Sequence, residues 1–97
     1  MDSLNEYESL ELLLATHNFP GPYMFKVIGR DIGGFQARVL LAIREALRID
    51  QDPPFRTQPS SGGRHVSITL EPHVFSAEEV ITVYRHLKQT EGVMMVM

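Results

Sequence analysis

Two groups of residues in this 97-residue chain have types and spacing that could do chemistry. The first is Arg30-Asp31-Ile32-Gly33-Gly34. Where such a link leads into a helix, exposed amides, the helix dipole and the Arg30 guanidinium together favour an anion or an amino-acid carboxylate. Arg30, Asp31, Gly33 and Gly34 are the candidate ligand-binding residues, although Asp31 as an N-cap would occupy the same amides. A plain strand-to-helix turn with glycine where the backbone needs it explains the pattern equally. The second group is Lys26, His65, Ser67, Thr69 and Glu71. A Lys–His–Glu set could move protons near neutral pH. No nucleophile–base spacing emerges, and alternating polar positions also describe a solvated sheet face. The expectation is that no residue here is catalytic.

Both groups need a sheet to position them. Thr57 to Glu71 reads as a β-hairpin: an extended arm, a Ser60-Ser61-Gly62-Gly63 turn, and an alternating second arm. On that arm Val66, Ile68 and Leu70 point one way, and His65, Ser67, Thr69 and Glu71 the other. The two adjacent glycines are expected to supply the positive φ angles of the turn. Tyr23 to Gly29 is a first strand with Tyr23, Phe25 and Val27 inward, because Lys26 on the opposite set is costly to bury. Asp31 is the expected N-cap of a first main helix running to about Leu47–Asp50. Its apolar stripe is Phe35, Val39, Ala42, Ile43, Ala46 and Leu47, with Gln36, Arg38, Glu45 and Arg48 in solvent.

Phe55 to Pro59 is the second strand, its proline marking an end or an outer edge. The third strand stops near Pro72. Ser76 and Glu79 form a capping box for a second main helix, with Phe75 expected to staple onto Val80. Val80, Ile81, Tyr84 and Leu87 are its buried stripe, and Gly92 suits a left-handed position after it. Val93 to Met97 is a last strand. Ahead of all this, Ser3 to about His17 has a capping-box start and apolar residues Leu4, Tyr7, Leu10, Leu13 and Leu14 at helical spacing. Asn18-Phe19-Pro20-Gly21-Pro22 stops it.

The order is a helix followed by β-α-β-β-α-β. Residues 1–21 are read as an amino-terminal helix and linker, and 22–97 as an α+β ferredoxin-like sandwich. Its antiparallel sheet has the order 4-1-3-2 with both main helices on one face. That order is expected from right-handed crossovers joining strand 1 in parallel with strands 3 and 4. Met94, Met95 and Met97 then lie on an edge strand that is apolar on both sides and unguarded by proline or charge. Either the amino-terminal helix covers that edge or a second subunit does; the methionines either fill core gaps or meet a partner, and they are the candidate self-association residues.

Composition narrows the function. A formal net charge of −3 argues against binding nucleic acid through phosphate neutralisation, and the third strand offers no outward Phe or Tyr for stacking. With no cysteine there are no disulfides or zinc thiolates, and His17, His65, His73 and His86 fall on four different elements, so no metal or cofactor is expected. The acidic start is no secretory signal and no run approaches the ~20 apolar residues of a membrane span, so a cytoplasmic protein without a membrane partner is expected.

Phe19-Pro20 with Tyr23-Met24-Phe25-Lys26-Val27-Ile28-Gly29, and Gln58-Pro59-Ser60-Ser61-Gly62-Gly63-Arg64-His65-Val66-Ser67-Ile68-Thr69, resemble the YbeD-like family of small bacterial proteins. The likeness runs from about Leu12 to the end, and Pro59, Ser60, Ser61, Gly62 and Gly63 are its most specific part. It implies a ferredoxin-like fold similar to ACT-type regulatory domains, and no known biochemical role. Asp31-Ile32-Gly33-Gly34-Phe35 also looks like the ACT strand-to-helix link, without its usual proline. That likeness implies amino-acid binding, generally at a subunit interface. The expected function is a non-enzymatic regulatory or interaction module, acting as a homodimer or on a protein partner. The alternative is a sensor of an amino acid or other small anion at Arg30–Gly34, and a third reading is an enzyme using Lys26, His65 and Glu71.

Overall fold

A computed structural model describes Glu11, Leu12 and residues 15–97. Of the expected amino-terminal helix, Glu11, Leu12, Ala15 and Thr16 are helical, His17 is not, and the rest lies outside the described residues. The elements are β1 (Gly21–Pro22), β2 (Phe25–Arg30), α1 (Phe35–Leu47), β3 (Phe55–Pro59), β4 (His65–Leu70), β5 (His73–Val74), α2 (Ala77–Lys88) and β6 (Val93–Val96). Four strands form one sheet in the order β3-β4-β2-β6. Each neighbouring pair is antiparallel. The α+β, ferredoxin-like class is therefore correct. The crossovers are not as expected, since β2 runs antiparallel to β4 and β6 and no crossover can join it in parallel to either.

The alternation in β2 and β4 builds the core. Phe25, Val27, Ile68 and Leu70 are fully buried, with Val66 at their margin. They pack against Phe35, Val39 and Ile43 of α1 and Val80, Val83 and Leu87 of α2 in one cluster. Leu40 and Val83 are buried too, outside the stripes read from sequence. A second sheet, missed in the sequence, pairs Gly21 with Val74 and Pro22 with His73, so β1 spans the junction between residues 21 and 22. Two-residue strands have no period to detect.

At α2 the Ser76 side chain accepts from the Glu79 amide at 3.2 Å, and Glu79 Oε1 accepts from the Phe75 amide at 2.8 Å. The staple does not form: Phe75 is 67% exposed and its ring meets His73 edge-on. At α1 Asp31 is not the N-cap. Gly34 is, at φ +81, with no side-chain hydrogen bond. The helix ends on Arg48, itself left-handed at φ 57. In the hairpin only Gly63 (φ +72) takes a positive angle, not both glycines.

Candidate functional site

The strand register places the sequence-derived residues in rows on the sheet face away from the helices. Lys26 lies opposite Thr69, which lies opposite Arg56. Ile28 lies between Met95 and Ser67, and Ser67 opposite Gln58. Arg30 lies opposite His65. Beyond the end of β6, Met97 and Lys26 exchange two backbone hydrogen bonds of 2.7 and 2.8 Å, adding Met97 to the first row. Lys26, Arg30, Arg56 and Gln58 are exposed, and His65 and Ser67 half-buried. Thr69, flanked by Lys26 and Arg56, is 7% exposed.

The register also separates the Lys–His–Glu set. Lys26 and His65 are offset by four residues along paired strands, about 13 Å at strand rise. Glu71 lies six positions from His65 on the same chain stretch, and its carboxylate approaches Arg56 at 3.9 Å, both groups well exposed. The three do not converge, so they make no acid–base centre. Among the described residues no three of His, Cys, Asp and Glu group as metal ligands.

The β2–α1 link is shaped by packing. Phe35 is 2% exposed. A Cβ on Gly29 would stand 2.2 Å from the Phe35 ring and 2.6 Å from the Gly92 carbonyl oxygen, so the glycines make room for that ring. Arg38, expected in solvent, sits 5.9 Å over the Phe35 centroid. Its guanidinium donates to Gly33 O at 2.9 Å and Glu91 O at 3.2 Å, tying the start of α1 to the loop before β6. Sequence reasoning missed this because Arg38 and Glu91 are 53 residues apart. Arg30, Asp31, Gly33 and Gly34 are all exposed. Gly33 has open space where a side chain would stand.

The hairpin turns on Ser60. Its amide donates to His65 O at 2.8 Å, its carbonyl accepts from the Gly63 amide at 3.0 Å, and its hydroxyl accepts from the His65 amide at 3.2 Å. Pro59 closes β3 opposite Val66. Ser61, Gly62 and Gly63 are exposed at the tip. At the other edge of the sheet, Met94, Met95 and Met97 are 57, 53 and 49% exposed, with Met24 at 52%. No helix among the described residues is long and apolar enough to cross a membrane.

The family model described as "Protein of unknown function (DUF493)" matches residues 15–97. A UPF0250 protein of Vibrio cholerae is 31% identical over 97 residues, covering all of both chains. Another, of Haemophilus influenzae, is 28% identical over 92 residues, 95% of each chain. A third, of Shewanella piezotolerans, is 33% identical over 75 residues, 77% of this chain and 83% of that one. These are small bacterial proteins whose names state no activity, in keeping with the YbeD-like resemblance. Among solved structures, the ACT domain from GTP pyrophosphokinase of Chlorobium tepidum matches with a TM-score of 0.60 at 17% identity. The match covers 79% of this chain and 95% of that one, and it shows a shared fold.

Proposed function

Because the chain belongs to the family of proteins of unknown function whose model spans residues 15–97, we propose that it is a non-enzymatic regulatory module. It associates with a second copy or a protein partner through the open sheet face and the β6 edge. The observation that carries this is that edge: among the described residues β6 pairs on one side only, and Met94, Met95 and Met97 each leave about half their surface in water. Nothing from Val93 to Met97 guards it with proline or charge. Methionine side chains adapt to irregular partners. A photo-crosslinking amino acid at Met95, compared with one at exposed Leu41 on α1, tests this in the native cell. Discrete adducts from position 95 alone are expected, and an adduct of twice the chain mass identifies self-association. No adduct at 95, or equal adducts at 41, removes the reading.

A second reading places a small anion, such as an amino-acid carboxylate, at Arg30–Gly34. It is favoured by the α1 start, whose cap has no side-chain hydrogen bond, and by the open space at Gly33. The ACT-type fold is consistent with it. A ligand at 100 times its dissociation constant stabilises by about 2.7 kcal/mol. Gly33→Ala should abolish that stabilisation without unfolding. Gly34 is unsuitable for the test because a side chain at φ +81 is strained. A flat thermal screen over amino acids and small carboxylates removes this reading.

A further inference from the structure

We propose that the open sheet face is a docking site for an acidic amphipathic helix of a partner protein. Its apolar stripe lies on Ile28, Met95 and Met97, and its carboxylates meet Lys26, Arg30 and Arg56. The proposal rests on the interaction-module reading and names the partner's chemistry.

The rows of the sheet divide this face into two zones. Ile28, Met95 and Met97 sit together where β2 meets β6, joined by the Ile28–Met95 pairing and the Met97–Lys26 hydrogen bonds. The cations stand on the β2 side and beyond it, Lys26 and Arg56 on either side of Thr69, and Arg30 next to His65. Glu71 is the one acidic side chain on these strand-face positions, so their side chains are net basic on a chain whose net charge is −3. Among the described residues Lys26 and Arg30 have no ion-pair partner, and Arg56 reaches Glu71 only at 3.9 Å.

A helix is about 10 Å wide and strands lie about 4.8 Å apart, so one helix covers two strands. Laid over β6 and β2, it buries the methionines and Ile28 under its apolar stripe. Its flank then faces Lys26 and Arg56 across the half-buried centre of the sheet. A nucleic acid fits less well. The outward positions of β2, β3, β4 and β6 hold no Phe, Tyr or Trp on which a base could stack, and phosphates would leave the methionines in water.

The test uses fluorescence anisotropy with three labelled probes. They are a designed helical peptide of leucine and glutamate, the same peptide with lysine for glutamate, and a single-stranded RNA. The acidic peptide should bind about tenfold or more tighter than the basic one, and weaken as salt screens the contact. The double variant Lys26→Glu with Arg56→Glu should reverse that preference. Both positions are exposed, and its thermal stability should match the wild type. Equal binding of both peptides, tighter binding of RNA, or no peptide binding overturns the proposal. Equal binding that Met95→Ser weakens overturns the acidic chemistry and leaves the module standing. No binding together with no adduct from position 95 removes both.

Discussion

Phe35 is where single residues decide most. It is held between Gly29 and Gly92, and the latter, at φ +95, would bring a Cβ within 2.9 Å of the ring. Neither the ring nor the Gly92 carbonyl can move far, because Arg38 fastens both the turn before α1 and Glu91. Gly29→Ala should therefore cost about 1–3 kcal/mol, the usual range for overpacking a full core. Urea unfolding measures it, and Phe35→Leu in the same chain should recover part of the loss. A neutral Gly29→Ala would mean that the loop before β6 yields freely. Tyr84 offers a second residue-scale prediction. Burial pushes its phenol above the ordinary value of 10.0, and a hydrogen bond with Tyr23 and the Tyr23 charge add to the rise. The folded state thus prefers the protonated form. That stability is fully present below pH 10 and is lost as pH climbs from there toward the raised value. Melting temperatures followed into the alkaline range should fall less steeply for Tyr84→Phe than for the wild type. Parallel curves would show that the Tyr84 proton is not linked to folding.

The hairpin shows at the element scale what a sequence can and cannot specify. Strict alternation from His65 to Leu70 identified the strand and its inward set, because one face had to be apolar. The same argument could not describe β3, whose five residues are all exposed and whose inward positions carry no apolar period beyond Phe55. Two glycines at the tip read as equivalent, yet they are not. Gly63 occupies the left-handed region at φ +72, while Gly62 does not, and neither would crowd a Cβ against any neighbour. Gly63→Ala should then destabilise by about 1–2 kcal/mol, the cost of a left-handed L-residue, with Gly62→Ala close to neutral. Thermal unfolding of the two variants separates backbone strain from simple loss of flexibility. Equal effects would refute the assignment. The exposed Phe75 makes a related point. A capping box was legible in four residues, but the staple depended on where the chain entered the helix, and the β1–β5 pairing sets that entry.

Across the whole molecule, legibility follows sequence distance. The succession of elements could be read because most strands and both helices carried their own period and stop, whereas the connections could not: the parallel crossovers expected between strand 1 and strands 3 and 4 are antiparallel pairings. The Arg38–Glu91 contact and the β1–β5 sheet could not be read either, since each joins segments some fifty residues apart and leaves no local pattern. The sequence places the candidate link correctly between β2 and α1 but misassigns its cap: Gly34, not Asp31, begins the helix. Distance also predicts where the fold should open first. β2 and β4 are paired on both sides, whereas β6 has four residues, one partner strand among the described residues and a register shift beside Gly29. In dilute protein, amides of β2 and β4 should exchange only with global unfolding and those of β6 by local opening at lower free energy. If β6 is an association edge, its protection should rise as protein concentration or partner is increased, while β2 and β4 stay unchanged. Native-state hydrogen exchange read strand by strand measures both. Amides of β6 that exchange as slowly as those of β2 at every concentration would make this strand a fixed part of the core, and the edge would lose its claim to be a site of exchangeable contact.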